Sequence, residues 1–190
     1  MRGYLLSIWS ILDPIYYTFT RLTYLPSHDE HQNIFRVRLT RYKGKLLTLS
    51  DGTRINKNDM LVKIHLHNVK LLKELKDIKS EIKRGKIIYD YVLKSLPGIH
   101  LYIKDHKASS EIKGIIGITL LNKGCSRLGF ETHQLSHPLY KWMKWISFIP
   151  IEILSSSRLS FKNMFKHEPP SYLVMSKEKL AKMYSMKKPI

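Results

Sequence analysis

The nine residues MLVKIHLHN, positions 60–68, decide the predicted fold. Apolar and polar side chains alternate through this stretch, and an alternation of period two is typical of a β-strand with one buried face. The aliphatic positions are predicted to face the core, while the opposite face carries a lysine and two histidines. The inward set is Met60, Val62, Ile64 and Leu66, and the outward set is Lys63, His65 and His67.

The chain before this strand predicts further antiparallel strands. FRVRLTRY, residues 35–42, shows the same alternation of apolar and polar side chains. Asp51 and Gly52, which lie between KLLTLS and TRI, are a strong signal for a tight hairpin turn. We therefore predict an antiparallel meander over residues 35–67.

A long amphipathic helix is predicted to follow, from Val69 to about Leu96, because leucines and isoleucines recur at steps of three and four. Pro97 and Gly98 are expected to end this helix. Residues 100–106 are then expected to be extended. The predicted inward positions of the helix include Leu71, Leu75, Ile78 and Ile82.

The second half of the chain predicts one buried strand and several short helices. KGIIGITLL is a nearly continuous apolar run, typical of a central strand covered on both faces, near residues 115–121. NKGCSRLGF predicts a short helix ended by Gly129, and FETHQL predicts an extended segment. A further helix is predicted after Pro138, and a last one is predicted to be capped by Ser176. The residues expected to dock this last helix are Leu180, Met183 and Tyr184.

Together these elements predict an α+β fold, in which a small, mostly antiparallel sheet packs against a long amphipathic helix and C-terminal helices. With 190 residues the chain suits a single domain, residues 1–190, that can bury a sizeable core. Residues 1–25 are predicted to form amphipathic helices. Residues 171–190 are predicted to form a C-terminal helix. This helix is expected to be loosely attached to the domain, because Pro169 and Pro170 precede it.

The chain is strongly basic, with 33 lysines and arginines against 15 acidic residues and a formal charge of +18. This balance favours anionic partners, such as phosphates, nucleic acid or an anionic membrane surface. The single cysteine, Cys125, excludes an internal disulfide and suits a reducing, cytoplasmic compartment. Its aliphatic neighbours indicate a buried, structural thiol, because no adjacent base would activate it.

The aromatic N-terminus leaves two interpretations open. It lacks the small-residue cleavage site of a secretory signal, and Asp13, Pro14 and Arg21 interrupt any membrane span. The segment either packs on the domain or lies at the membrane interface through aromatic anchors. The predicted membrane-contact residues are Trp9, Tyr16, Tyr17, Trp142 and Trp145.

His65 and His67 are the first candidates for a binding site, because strand residues two apart project in the same direction. Two imidazoles could hold a metal, but spacing marks no third ligand, so we predict no metal and no cofactor. We interpret the pair as the polar face of a strand, with the rim of a small anion-binding pocket as the alternative. Asn68, which directly follows His67, is also a ligand-binding candidate and is expected to cap the next helix. Two further ligand-binding candidates near the predicted central strand are Arg127 and Glu131.

Familiar catalytic motifs are missing from the sequence. It contains neither of the glycine-rich phosphate-binding motifs, G-x-x-x-x-G-K-[ST] and G-x-G-x-x-G. It also lacks a G-x-S-x-G nucleophile elbow and an H-E-x-x-H metal-binding helix. His133 and His137 have the i, i+4 spacing of a helical zinc pair, but the helix is predicted to start only at Pro138. HDEH, residues 28–31, offers four possible ligands and is expected to be a solvated loop.

Four stretches together resemble the YkoP-like family of bacilli over nearly the whole chain. They are MRGYLLSIWSILDPIYYTFTRL (1–22), LSDGTRINKNDMLVKIHLHN (49–68), GIIGITLLNKGCSRLGFE (114–131) and PPSYLVMSKEKL (169–180). Because domains of this family occur alone or joined to polysaccharide deacetylases, the resemblance implies a link to cell-envelope glycans and no known reaction. The chain departs from the family at Asn58, where the resemblance implies glycine. Asparagine tolerates a left-handed turn, so this departure is mild.

The resemblance does not make the chain a deacetylase. Those enzymes use an Asp-Asp pair with an H-x-x-x-H segment around a metal. His133 and His137 fit the spacing of that segment, but the sequence contains no Asp-Asp pair. We therefore predict that the chain is not itself a polysaccharide deacetylase.

Three functions follow as hypotheses. The first is a non-catalytic accessory or binding module of envelope glycan metabolism, attached to the inner membrane face or to an envelope enzyme. The second is nucleic-acid binding without a recognised motif, through Arg36, Arg38, Tyr42 and Lys63 on exposed strand faces. The third is a small enzyme whose four candidate side chains would have to converge, namely His65, His67, Arg127 and Glu131.

Overall fold

The computed structural model describes residues 22–25, 33–119, 124–134 and 170–185. These residues form eight strands and three helices, which make a single α+β domain. The strands are β1 (Thr23–Tyr24), β2 (Phe35–Arg41), β3 (Leu47–Thr48), β4 (Arg54–Ile55), β5 (Met60–Leu66), β6 (Ile112–Thr119), β7 (Glu131–Gln134) and β8 (Ser171–Ser176). The helices are α1 (Asn68–Leu75), α2 (Glu81–Asp105) and α3 (Lys177–Tyr184).

Six strands form the main sheet, in the order β1-β2-β5-β6-β8-β7. The pairing of β5 with β6 is parallel, and the other pairings of this sheet are antiparallel. The sheet is therefore mostly antiparallel, which confirms the predicted fold class. The expected central strand is β6, which begins at Ile112, three residues before the predicted start, and lies between β5 and β8.

One face of the sheet packs on the helices. Val62 of β5 is fully buried and Ile64 is 8% exposed, so the predicted inward alternation of this strand is confirmed. These two residues meet Leu96, Ile99 and other buried side chains of the helices in the larger of two apolar clusters. Burial of aliphatic side chains is the main force that holds this layer together.

The opposite face of the sheet is partly covered by the β3–β4 hairpin, which is a separate two-stranded sheet. The predicted meander over residues 35–67 is therefore wrong in its pairing, because β2 pairs directly with β5, whereas the hairpin packs on side chains of β5, β6 and β8. The Asp51-Gly52 turn itself is confirmed, since Gly52 has a φ of 85°. The second apolar cluster lies under the hairpin and contains Tyr42, Leu49, Ile55, Leu61, Ile116 and Val174.

The prediction of one helix ending before Pro97 is wrong in two ways. The helical conformation is interrupted between Leu75 and Glu81, so α1 and α2 are separate helices. The second helix then continues through Pro97 to Asp105, which makes residues 100–105 helical instead of extended. An internal proline costs about 3 kcal/mol, and the burial of Ile99 and Ile103 beyond it offsets this cost.

Residues 171–185 add one strand and one helix to the domain. β8 lies between β6 and β7, although the sequence analysis predicted only a helix in this segment, and α3 buries Leu180 and Tyr184. The loose attachment expected for residues 171–190 stays a prediction. The Oγ atom of Ser176 accepts a hydrogen bond from the Lys179 backbone N–H at 2.9 Å, as predicted for the helix cap. Met183 is 37% exposed and docks less fully than expected.

Two turn predictions are confirmed, whereas the thiol is less deeply buried than predicted. Gly129 ends the 3-10 turn Cys125–Leu128 with a φ of 87°, and Asn58 takes a left-handed φ of 72°. Cys125 is half-buried against the larger cluster, and burial raises the pKa of its thiol.

Several predictions fall outside the described residues. They include the helices at 1–21, the HDEH loop, His137 and the helix after Pro138, whereas residues 23–24 of the predicted N-terminal helices form a strand. In the described part of the chain, no helix is both long and apolar enough to cross a bilayer.

Candidate functional site

The register of β2 against β5 assembles four basic side chains on the sheet face that points away from the helices. Arg36 lies opposite His65, and Arg38 lies opposite Lys63. Cβ atoms of opposite residues are about 4.5–5.5 Å apart in such pairs, and residues two apart on one strand share a face at about 7 Å. These four residues, Arg36, Arg38, Lys63 and His65, are called the basic quartet below.

The basic quartet is largely buried. Arg36 is 3% exposed, and the other three residues are half-buried. The Nε atoms of Arg36 and Arg38 and the Nε2 atom of His65 have no contact with solvent. The expectation that Arg36, Arg38, Tyr42 and Lys63 lie on exposed strand faces is therefore wrong, since Tyr42 is also buried, at 4% exposure. This burial removes the observation that motivated nucleic-acid binding at these residues.

His67 and Asn68 lie beyond the end of β5. His67 is the N-cap residue of α1, and its side chain makes no capping hydrogen bond. Asn68 is the first helical residue, so the expectation that Asn68 caps the helix is wrong. The ring of His67 instead contacts the ring of Tyr24 edge-on, with centroids 5.8 Å apart. Tyr24 in turn lies beneath the guanidinium of Arg36, 4.9 Å from ring centroid to Cζ.

Glu131 and Arg127 do not converge with the histidines. Glu131 lies on the same cross-strand row as Lys63, but β6 and β8 stand between them, in the order Lys63, Ile116, Val174, Glu131. Three strand spacings place their backbones about 14 Å apart. Arg127 is exposed on the 3-10 turn before β7. The structure therefore does not bring the four residues of the enzyme hypothesis into one site.

No metal centre emerges from the histidines that the structure describes. His133 lies on β7 opposite Tyr172, and its Nε2 atom is buried. Among described residues, no three histidine, cysteine or acidic side chains come close enough to hold a metal ion.

Glu131 instead clamps the hairpin to the sheet. Its two carboxylate oxygens accept hydrogen bonds from the Ser50 backbone N–H at 3.1 and 3.0 Å, and Oε1 accepts one from the Ser50 hydroxyl at 2.6 Å. The ammonium of Lys179 on α3 completes the contact with an ion pair at 3.3 Å. Burial alone would raise the pKa of Glu131, but the hydrogen bonds from Ser50 and Lys179 outweigh burial and lower it.

The Glu131 clamp predicts an acid-dependent contribution to stability. Because the folded pKa is depressed, the contribution is complete above the ordinary glutamate pKa of about 4.3 and is lost as the pH falls through the depressed value. Glu131→Gln is expected to lower the free energy of unfolding by about 1–2 kcal/mol at pH 7, and this gap should close towards pH 3. Urea unfolding across that range measures it, with Glu111→Gln as an exposed control. A gap that stays constant or widens in acid would contradict the assignment.

The connection between α1 and α2 forms a protruding, basic surface. Every residue from Lys79 to Lys86 is exposed except Arg84, which is half-buried, so the first turns of α2 face solvent. At this end Ile82, predicted to face the core, is 87% exposed. Residues 73–86, called the basic corner below, contain six basic and three acidic residues. The basic ones are Lys73, Lys76, Lys79, Lys83, Arg84 and Lys86.

The predicted membrane-contact residues cannot be placed on this architecture. Trp9, Tyr16, Tyr17, Trp142 and Trp145 all lie outside the described residues. The basic corner, which the sequence did not single out, is a surface in the described part that combines an exposed aliphatic side chain with a concentration of lysines.

Comparisons with known proteins give one family. The model of the YkoP domain matches residues 2–184. The chain is also 49% identical over 187 residues to "Uncharacterized protein YkoP" of Bacillus subtilis (strain 168), an alignment that covers 98% of this chain and 100% of the relative. No solved structure matches the chain.

Proposed function

The chain belongs to the YkoP domain family, and on that premise we propose that it is a non-catalytic binding module that docks on the anionic inner face of the cell membrane. The observation that carries the proposal is the exposure of Ile82, at 87%, within the basic corner. A protruding helix end with an aliphatic side chain among lysines fits the boundary between lipid headgroups and acyl chains.

The basic corner supplies both forces that hold a peripheral protein on a membrane. Burying a fully exposed isoleucine contributes about 1.5–3 kcal/mol. Each lysine near an anionic surface contributes about 1 kcal/mol. An aliphatic anchor with three or four aligned lysines is enough for reversible attachment, whereas neither force alone gives stable binding.

The hydrogen-bonding around Ser50 supports a non-catalytic role. Its hydroxyl lies 3.5 Å from the ammonium of Lys179, a spacing that resembles a serine–lysine catalytic pair. The hydroxyl proton, however, is directed at the carboxylate of Glu131, and the ammonium donates to the same carboxylate. An ammonium engaged as a donor holds no lone pair for the serine proton, so this trio acts as a structural clamp.

Vesicle sedimentation tests the docking surface. The chain is expected to pellet with vesicles of phosphatidylcholine and phosphatidylglycerol, to stay in the supernatant with phosphatidylcholine alone, and to dissociate as salt increases. Ile82→Ser is expected to reduce the partition coefficient about tenfold, because the aliphatic contact is lost. Lys83→Glu with Lys86→Glu should reduce it at least as much.

Two matched controls keep this test specific. Leu46→Ser removes another exposed aliphatic side chain, 57% exposed, on the hairpin layer. Lys104→Glu with Lys107→Glu makes the same charge change at the far end of α2, about 30 Å from Lys83 at 1.5 Å per residue. Both controls should bind like the natural chain. Equal pelleting with neutral and anionic vesicles, or equal losses in the controls, would remove the proposal.

We further propose that the module acts in envelope glycan metabolism, by binding an envelope enzyme at the same membrane face. The family expectation stated above supports this part, and a membrane-docked module would be placed where such enzymes work. Deleting the gene in its host is expected to change the acetylation of cell-wall glycan fragments, measured by mass spectrometry. An unchanged fragment profile would remove the glycan role and leave membrane docking to stand on the vesicle test.

A further inference from the structure

The β3–β4 hairpin and its flanking residues carry a concentration of exposed positive charge. Residues 41–59 contain five basic residues against two carboxylates, Asp51 and Asp59. Leu46, which lies among the basic residues, is 57% exposed. All five basic side chains are exposed, and they are Arg41, Lys43, Lys45, Arg54 and Lys57. These five residues and Leu46 are called the hairpin patch below.

The register of the hairpin places Leu46 beside Arg54 on its outer face. Leu47 and Leu49 contact the second apolar cluster. Leu46 and Thr48, which alternate with them, are exposed. Because Arg54 pairs with Thr48, it is the diagonal neighbour of Leu46. Diagonal neighbours are about 7–8 Å apart, so the arginine side chain can lie next to the exposed leucine.

Two further cations of the hairpin patch converge on Asn58. The Nη1 atom of Arg41 donates to the Asn58 backbone carbonyl at 3.1 Å. The Nζ atom of Lys43 donates to the side-chain carbonyl oxygen of the same asparagine at 3.0 Å. Both acceptors are uncharged, so they orient the two cations without neutralising them. Lys57, which directly precedes Asn58, adds a third positive charge at this place.

The two carboxylates of this segment are used to hold the hairpin. Asp51 accepts hydrogen bonds from the Thr53 backbone N–H at 3.0 Å and from the Ser176 hydroxyl. Asp59 accepts one from the Asn56 backbone N–H at 2.7 Å. Five positive charges against two negative ones leave an excess of three on residues 41–59. This surface therefore attracts an anionic partner.

The backbone beneath the hairpin patch is held in place by Tyr42, which is buried. The Tyr42 backbone N–H donates to the Asp59 carbonyl at 2.9 Å, and the Asn58 backbone N–H donates to the Tyr42 carbonyl at 2.7 Å. Gly44 packs on the same residue, because a methyl group there would overlap the Tyr42 hydroxyl. A surface with a fixed backbone loses less conformational entropy when it binds a partner.

We propose that the hairpin patch docks an acidic segment of a partner protein, through carboxylates and one apolar side chain of that segment. A central apolar contact within a charged rim is the usual organisation of a protein–protein interface. Arginine forks bind carboxylates in pairs, which favours a partner rich in aspartate or glutamate. A single-stranded nucleic acid fits less well, because none of the six residues offers an aromatic ring for base stacking.

The hairpin patch lies at the opposite end of α2 from the basic corner. Arg41 of the patch pairs with Met60 at the start of β5, and Met60 pairs with Ile112 at the start of β6. Only six residues separate Ile112 from the C-terminal end of α2. This helix has 25 residues and is about 37 Å long. A chain docked on a membrane through the basic corner therefore keeps the hairpin patch free for a protein.

Titration of the isotope-labelled full chain with synthetic peptides tests this surface. One peptide consists of glutamates around two leucines, and a second has serines in place of the leucines. The amide signals of residues 43–46 and 54–57 are expected to shift in a saturable manner with the first peptide. The second should bind about tenfold more weakly. Equal affinity for the two peptides, or no saturable shift at these amides, would overturn the proposal.

Variants at exposed positions then identify the contacts. Leu46→Ser removes the apolar contact, and Lys45→Gln with Arg54→Gln removes two charges, so each is expected to weaken peptide binding about tenfold. Lys83→Gln with Lys86→Gln makes the same charge change at the basic corner and should leave the peptide affinity unchanged. Equal losses in all three variants would show general ionic attraction and would overturn the proposal, as would full affinity in both patch variants.

Two other anionic probes separate this partner from the alternatives. Oligodeoxythymidylate represents a single-stranded nucleic acid, and its binding at the hairpin patch more tightly than the leucine peptide would overturn the proposal. Vesicles of phosphatidylcholine and phosphatidylglycerol represent a membrane, and a loss of vesicle binding in Leu46→Ser would assign the patch to lipid instead. A chain that binds the peptide but no vesicles would support the hairpin patch and remove only membrane docking.

Discussion

Replacing Gly114 with alanine is expected to lower the free energy of unfolding by about 3 kcal/mol or more, which is a large fraction of the stability of a domain. Gly114 is buried in the central strand β6, opposite Ser176 of β8. A methyl group added there would meet the backbone carbonyl oxygen of Met175 and would lie 3.1 Å from the Cα atom of Ser176. Backbone atoms of a paired strand cannot move aside as a flexible side chain can.

The consequences of this substitution reach beyond one contact. β6 and β8 are paired from Gly114↔Ser176 to Thr119↔Ser171, so forcing them apart at one end weakens the middle of the sheet. Ser176 is also the N-cap residue of α3, so the start of this helix is displaced together with the strand. The φ of Gly114 is not in the left-handed region, and steric overlap is therefore the main cause of the loss.

Gly85→Ala is the matched control for Gly114→Ala. Gly85 is exposed on α2, and a methyl group there would meet no atom within 4 Å. Alanine is favoured over glycine in a helix by about 0.5–1 kcal/mol, so this variant should be slightly more stable than the natural chain. Urea unfolding of both variants measures the two effects, which have opposite signs. A Gly114→Ala variant as stable as the natural chain would contradict the described packing of β6 on β8.

Local patterns in the sequence predicted much of the fold, because their causes lie within a few residues. The alternation around Ile64, the Asp51-Gly52 turn and the Ser176 cap each depend on backbone geometry or on hydrogen bonds between near neighbours. The pairing of β2 with β5 instead joins residues that lie 19 to 31 positions apart in the chain, from Arg41↔Met60 to Phe35↔Leu66. Leu61, which follows Met60 directly, was a signal in the sequence that β5 is covered on both faces.

Pro97 and Gly98 show how tertiary contacts override a strong local signal. The Nδ2 atom of Asn33 donates to the Ser95 carbonyl at 3.0 Å, and the Ile34 backbone N–H donates to the Ser95 hydroxyl at 3.0 Å. A methyl group at Gly98 would lie 2.5 Å from the Asn33 Nδ2 atom. The glycine therefore permits a close approach of the chain before β2, and it does not end the helix.

Only half of the candidate site was accessible from the sequence. His65 and Lys63 were identified by alternation within one strand. Their partners Arg36 and Arg38 were identified as strand residues, but which side chains lie opposite each other depends on the register of β2 against β5. That register pairs Arg38 with Lys63, 25 positions away, and Arg36 with His65, 29 positions away. Ile82 was assigned to the core because its spacing from Ile78 fits one continuous helix. The helix is interrupted between these two residues, so they do not share a helical face, and Ile82 is exposed.

Replacing Ser176 with alanine is expected to lower the free energy of unfolding by about 2–3 kcal/mol, because one buried hydroxyl makes two contacts. Ser176 is fully buried, and its Oγ atom accepts a hydrogen bond from the Lys179 backbone N–H at 2.9 Å. The same hydroxyl donates to the Asp51 carboxylate at the tip of the hairpin. The substitution therefore uncaps α3 and releases the hairpin together.

Ser80→Ala separates these two effects, because Ser80 is also a serine N-cap but makes no second contact of this kind. Its Oγ atom accepts from the Lys83 backbone N–H at 3.4 Å in an exposed position, so its loss should cost about 0.5 kcal/mol. Hydrogen exchange at the Leu49 amide, which bonds to the Thr53 carbonyl at 2.9 Å inside the hairpin, should accelerate in Ser176→Ala only.

A double-mutant cycle with Asp51→Asn isolates the bond between the serine hydroxyl and the carboxylate. The two variants share this contact, so we expect a coupling free energy of about 1 kcal/mol. Burial alone would raise the pKa of Asp51, but hydrogen bonds from Ser176 and Thr53 and the charge of Lys179 outweigh burial and lower it. The coupling should therefore be complete above the ordinary aspartate pKa of about 3.9 and fade as the pH falls through the depressed folded value. Additive effects of the two variants at pH 7 would show that the hairpin is held on α3 without this bond.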